Sequence, residues 1–270
     1  MGRGHGQVDR LAQGIGSLAL YYTWRVRFEE GETALRAAAK RLEAIAGAEA
    51  GARRLWAKAL ALWGDFLIEQ GRQEPGTEAI RRALAPLDEL EAAGQEVRAE
   101  RAVALFSLAR IKRYFYLDPR DAEALYRQGI ALFEEVGDHW SVARGLDNLG
   151  LIIEDMGRFR EAQALCEQSL AISRSLGDRR GMADAMLDLG VIAWVQGHLD
   201  DAMPLLEQSA GILRSLDDWS GLAWTVKSLG ELLVRRGLFD DGLIVLESGI
   251  QICDGICLPG CWSGATVGSR

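Results

Sequence analysis

The stretch LDNLGLIIEDMGRFREAQALCEQSL, residues 146–170, returns 40 residues later as MLDLGVIAWVQGHLDDAMPLLEQSA, residues 186–210. It returns once more as VKSLGELLVRRGLFDDGLIVLESGI, residues 226–250. Gly150, Gly190 and Gly230 hold one register, and Gly157, Gly197 and Gly237 hold another. Ala122, Ala162, Ala202 and Gly242 follow the same period, as do Leu125, Leu165, Leu205 and Val245, and the small residues Gly129, Ser169, Ser209 and Gly249. A fixed interval of this kind marks a repeat architecture, because each unit meets the same packing demands as its neighbours.

Each register has a physical reading. The second glycine of each pair falls where a helix must stop, and glycine takes the left-handed conformation without a Cβ penalty. Phe159, Leu199 and Phe239 lie two residues later and start a second helix. The Ala or Gly three residues further on lets the two helices approach closely. Leu165, Ser169 and Leu170, like Leu205, Ser209 and Ala210, keep one face apolar or small at helical spacing. Between units the chain reads Gly137-Asp138, Gly177-Asp178 and Asp217-Asp218, a helix stop followed by a carboxylate able to cap the next helix.

The first half is more degenerate. Gly64 and Gly71 keep the seven-residue spacing before Ala79, with an insertion expected around Pro75, and Tyr22, Phe28, Gly31, Leu35 and Ala38 fill the aromatic, hinge and small positions of a first unit. In the third unit Arg110 and Leu117 stand where the glycines belong, and Arg113 replaces an apolar residue. The expected organisation is a flexible leader over 1–11, then six helix pairs over 12–48, 54–92, 97–135, 139–175, 179–215 and 219–253. Residues 254–270, where the charged residues and leucines of the array give out, are expected to be a disordered or non-native tail.

Leu146, Leu149, Gly150, Ile153, Gly157, Phe159, Ala162 and Cys166 match in order the signature of the tetratricopeptide repeat, which the chain resembles over most of its length. The 40-residue period, with phrases such as Arg158-Phe159-Arg160-Glu161-Ala162, is similar to the sensor arrays of bacterial signal-transduction NTPases and large transcriptional activators. The resemblance implies an all-α fold, a right-handed α-solenoid of antiparallel helix pairs whose first helices line a concave groove. It also implies a non-enzymatic scaffold that binds a protein or peptide there, as the sensing part of a bacterial regulator. A small-molecule sensor with a closed pocket, and a structural module whose end units stack head to tail, are the competing readings. No Gly-x-x-x-x-Gly-Lys-[Ser/Thr] loop and no separate helix-turn-helix segment accompany the repeats.

Mapped by that resemblance, the groove positions are Arg144, Asp147, Asn148, Leu151, Glu154 and Asp155, then Asp184, Leu187, Asp188, Val191 and Trp194, then Trp224, Lys227, Ser228, Glu231 and Arg235. Lys58, Asp65 and Tyr114 extend them into earlier units. Trp194 and Trp224 are candidate rigid anchors. Asn148, the only asparagine, has both a donor and an acceptor for an extended backbone. The carboxylate clamp known in the family needs Lys with Asn or Arg one turn apart. Here those places hold Asp147 with Leu151, Leu187 with Val191, and Lys227 with Glu231, so an acidic chaperone tail is not the expected ligand.

Composition excludes other classes. A net charge of −8 argues against nucleic acid, since phosphate binding draws on a basic stripe. No run approaches the ~18 apolar residues of a membrane span, and Met1–Gln7 lead into no signal-peptide core, so a soluble cytoplasmic protein is expected. His5, His139 and His198 are scattered without metal-ligand spacing, and Gly14-Ile15-Gly16-Ser17 lacks the context of a phosphate loop. Cys253, Cys257 and Cys261 recur every four residues, but Gly255, Pro259 and Gly260 interrupt any helix that would align them. No cofactor, metal or catalytic residue is assigned.

Overall fold

The computed structural model describes residues 2–47, 49–114 and 118–256, with side chains over 10–47, 49–113 and 118–252. Those residues form twelve α-helices: α1 (Gly2–Trp24), α2 (Phe28–Ala46), α3 (Ala50–Glu69), α4 (Gln73–Ala92), α5 (Arg98–Tyr114), α6 (Pro119–Val136), α7 (His139–Asp155), α8 (Phe159–Leu176), α9 (Arg179–Val195), α10 (Leu199–Ser215), α11 (Trp219–Arg235) and α12 (Phe239–Ile256). No strand occurs among the described residues. The fold is all-α, an α-solenoid built from consecutive helix pairs.

The chain divides into two compact units, residues 1–152 and 153–270. In the first, α3 packs against α1, α2, α4 and α5, while α5 packs against α4 and α6. In the second, each helix from α8 to α12 packs against the next, and α9 also touches α11. Each unit therefore stacks pair on pair, the inner helices burying one stripe against their partner and another against a neighbouring pair.

Gly71, Gly157, Gly197 and Gly237 have φ of 73°, 75°, 87° and 81°, the left-handed turn that stops the first helix of a pair. The links between pairs end on Gly137 and Gly177 in the same conformation. Aspartates then cap the next helices: Asp138 accepts from the Ser141 N–H at 3.1 Å, Asp178 from Gly181 at 3.1 Å and Asp218 from Gly221 at 3.0 Å. The glycines at 64, 190 and 230 serve a different end. A Cβ on Gly190 would lie 2.8 Å from the Leu206 side chain, and one on Gly230 2.5 Å from Leu246, so these positions let the paired helices touch.

Two turns depart from the glycine rule. Asp217 occupies the register of Gly137 and Gly177 at φ 53°, and Val26 the register of Gly157 at φ 55°. An L-residue pays for this conformation with a clash between its Cβ and the backbone, so Asp217→Gly is expected to raise stability by roughly 0.5–1 kcal/mol. Chemical denaturation midpoints of the two proteins check it.

Several expectations for the first half are corrected. The hinge of the first pair is Val26. Gly31 lies inside α2, buried where a Cβ would meet the Phe66 ring, in the register of Ala162. No insertion surrounds Pro75: α4 begins at Gln73, two residues after Gly71, and Pro75 sits in its first turn, where a missing N–H goes unused. Gly76 then takes the small position assigned to Ala79, 3.0 Å from the Gly64 carbonyl by its would-be Cβ.

Helix α1 begins at Gly2, inside the segment expected as a leader. Its packed portion, with Ala12 and Ala19 buried, is a nucleus from which each further residue adds one hydrogen bond. At the other end α12 runs to Ile256, three residues past the expected stop. The tail from 257 lies outside the described residues, as does Leu117.

Candidate partner-binding face

In the second unit the mapped positions lie on α9, α11 and the end of α7, and exposed and committed side chains separate clearly. Trp224 is 48% exposed, with the Lys227 ammonium 5.9 Å from its ring centre. Lys227 in turn pairs with Glu231 at 2.7 Å, and Ser228 donates to the Trp224 carbonyl at 3.2 Å. These four residues form one amphipathic patch, an indole flanked by both charge signs.

Trp194 is placed differently. Its ring packs with Leu199, Met203 and Leu229 against the core around Leu206, its Nε1 is buried, and the Arg235 guanidinium carbon stands 4.4 Å over its ring centre. Much of its surface fills the gap between helices. Leu187 joins the same core, and Val191 is half-buried. Asp184 accepts from Arg180 at 3.0 Å, while the same guanidinium donates to the capping Asp218 at 2.5 Å. Asp188 is buried. Glu154 is half-buried and Asp155 exposed.

In the first unit Arg144 is exposed, its guanidinium carbon 4.8 Å over Trp140. Asn148 donates to the Arg144 carbonyl on its own helix at 2.7 Å, so its amide N–H₂ is partly engaged at home. Asp147 and Leu151 are half-buried.

Deeper in that unit lies a polar network that the sequence reading largely missed. Arg54 pairs with Glu100 at 2.8 Å, the carboxylate side chain only 2% exposed. Ser107 donates to Asp65 at 2.9 Å, and Arg110 approaches the other Asp65 oxygen at 3.6 Å while pairing with Glu69. Burial lowers the Lys58 pKa, although Glu100 and Asp138 act to raise it. Burial also raises the Asp65 carboxyl above the usual carboxylate range, outweighing Arg110 and the Ser107 hydrogen bond. The signal in the sequence was Arg110, which broke the glycine register because it serves this network. Tyr114 has no described side chain.

Burial of Asp65 makes the stability of the fold depend on pH. A carboxyl whose folded pKa exceeds its unfolded one favours the protonated form, so folding loses stability as pH rises through that window. Asp65→Asn keeps a hydrogen-bonding side chain without the charge. It is expected to match the parent at acid pH and to unfold at a higher temperature near neutrality. Melting curves from pH 3 to pH 8, on the order of the carboxylate range and above it, read this out.

Among the described residues no helix is long and apolar enough to cross a membrane. Residues 141–215 match the family model of the tetratricopeptide repeat. Residues 141–215 carry tetratricopeptide repeats.

Solved structures share this tetratricopeptide fold. BtubC (BKLC) from P. vanneervenii is 18% identical with a TM-score of 0.67, over 90% of this chain and 95% of that one. A Rap protein solved in complex with Competence and Sporulation Factor is 14% identical with a TM-score of 0.65, over 93% of this chain and 77% of that one. A signal transduction ATPase with numerous domains and a tetratricopeptide repeat sensor, from Pyrococcus horikoshii, is 15% identical with a TM-score of 0.61. The match covers 92% of this chain and 36% of that protein. At such identities the likeness is one of fold. No curated protein matches the sequence significantly.

Proposed function

We propose that this chain is a non-catalytic interaction scaffold that binds a protein or peptide along the exposed faces of its first helices, as the sensing part of a bacterial signalling or transcriptional regulator in the cytoplasm. The observation that carries the reading is the patch of Trp224, Lys227, Ser228 and Glu231. It combines a rigid, half-exposed indole with a cation and an anion, as a surface for a peptide of mixed charge requires. Arg144, Asp147, Asn148, Leu151, Glu154, Asp184, Asp188 and Trp194 are the remaining proposed contacts. Of these, Asp184, Asp188 and Trp194 act by holding the surface in place. The Rap protein complexed with a factor and the ATPase with a repeat sensor lend support at the level of fold.

Stability in a stacked array is close to a sum of neighbour contacts, so a ligand bridging several units tightens them and biases whatever the array is attached to. Selection of random heptapeptides on the immobilised protein tests the reading. A consensus is expected on the parent and lost, at least tenfold in recovery by rough estimate from hot-spot energies, on folded Trp224→Ala with Lys227→Ala. Equal enrichment on both proteins would remove the patch from the proposal.

A further inference from the structure

Between α10 and α11 the repeat covers an apolar stripe, wholly or in part, whose counterparts on the two outermost helices are largely exposed. On α10 the stripe is Leu199, Met203, Leu206 and Ala210, covered by Leu222, Val226, Leu229 and Leu232 of α11. Forty residues on, α12 repeats it as Phe239, Leu243, Leu246 and Ile250. There Leu243 is 54% exposed and Ile250 42%, where Ala210 is 6%. Leu246 reaches Gly230 of its own pair as Leu206 reaches Gly190, yet it is only half-buried because no helix among the described residues follows.

The complement of that stripe stands on α1. Aligned on the turn, Val26 with Gly237, Val226 corresponds to Ile15, which packs inward, and the α11 residues Leu222, Leu229 and Leu232 correspond to Leu11, Leu18 and Tyr21. In α11 the first and last of these are buried against α10. In α1 all three are exposed, Leu18 by 41% and Tyr21 by 46%, while Ile15, Ala19 and Tyr22 face the interior. Terminal repeats of a solenoid ordinarily turn a polar face to water. Here both outer faces keep the internal pattern.

Charge follows the same register. The α10·α11 interface carries an ion pair between Asp200 and Arg236. The corresponding residues of the outer helices are Asp240 on α12 and Arg25 at the end of α1, and neither has a salt-bridge partner among the described residues. Helix α12 contains Asp and Glu but no Lys or Arg.

The geometry points to head-to-tail stacking of this chain on a second copy, α12 of one molecule receiving α1 of the next by the contacts that join α10 to α11. The inference is independent of the peptide-binding patch, which lies on other residues. Such an interface is heterologous, so it does not close on a pair and association continues with concentration.

Sedimentation of the full chain over a concentration series tests it. The parent is expected to pass from monomer through dimer to longer species. Leu18→Glu disables only the α1 face and Leu243→Glu only the α12 face, so each alone stays monomeric. Mixed together, they form a one-to-one dimer that grows no further. Both sites are exposed, and circular dichroism confirms that the variants fold. As a second route, Arg25→Glu and Asp240→Arg each lower the association constant several-fold alone and recover it on mixing. A parent that is monomeric throughout overturns the proposal. So does a dimer abolished by Leu243→Glu but not by Leu18→Glu, which marks a symmetric contact, or association indifferent to both.

Discussion

Glu100→Ala is expected to lower the unfolding free energy by about 3–5 kcal/mol, the usual result of removing one partner from a buried ion pair. The Glu100 side chain is 2% exposed and the Arg54 side chain 13%, so little water can replace the lost carboxylate. Lys58 makes matters worse. Its charged form is already disfavoured by burial and by Arg54, and Glu100 is the first charge opposing that. Without Glu100, two cations share a site with little solvent.

The pH dependence of the variant follows. A lysine whose folded pKa lies below its unfolded one binds fewer protons when folded, so stability rises as pH climbs from that folded value toward the ordinary lysine range. The deficit of Glu100→Ala is therefore deepest near neutral pH and shrinks in alkali. Replacing the pair together, Arg54→Met with Glu100→Leu, is expected to recover most of the loss, since apolar side chains of similar volume need no desolvation. Urea titrations of the three variants at two pH values check these points. A Glu100→Ala protein within ~0.5 kcal/mol of the parent, the range of ordinary surface changes, would show the pair to be solvated.

What could be read from the sequence follows from what repeats. The turn glycines were legible because their demand is strong: at 157, 197 and 237 the backbone adopts a conformation that most side chains disfavour, so the residue type recurs with the geometry. The capping aspartates were legible for a similar reason. The first pair was misread because Val26 accepts the left-handed turn that glycine marks elsewhere, leaving Gly31, a packing residue, as the visible candidate for the hinge. The glycines at 190 and 230 stood out by spacing alone. Their purpose, contact with Leu206 and Leu246, depends on which face meets which and needs coordinates.

The face proposed to bind a partner was legible only in part. Helical spacing put Trp194 and Trp224 near the same surface, but it could not show that the Arg235 guanidinium and the Leu206 core hold the first while the second stands half in water. The polar network of Arg54, Lys58, Asp65, Glu100 and Arg110 joins helices more than 30 residues apart in sequence, as in the 46-residue separation of Arg54 from Glu100. Nothing periodic marks it, and its strongest trace was the failure of a periodic position.

Leu206→Ala has an expected cost of about 2–5 kcal/mol, from lost burial and from the cavity left behind. The side chain is fully buried between Gly190 of its own pair and Leu232 of the next, so neither side can collapse without moving a helix. Gly190→Ala separately places a methyl 2.8 Å from Leu206 and is destabilising by overpacking, about 1–3 kcal/mol. Combined, the new methyl occupies part of the space the leucine vacated. The double variant should therefore lose less than the sum of the singles, a coupling that guanidinium titrations of the four proteins can resolve. Leu246→Ala supplies the comparison. It removes the same side chain from the same register where no following helix covers it among the described residues, so at low protein concentration its cost is expected to be about half or less. If copies stack through α12, that cost grows with protein concentration, because the missing neighbour is then supplied by another molecule.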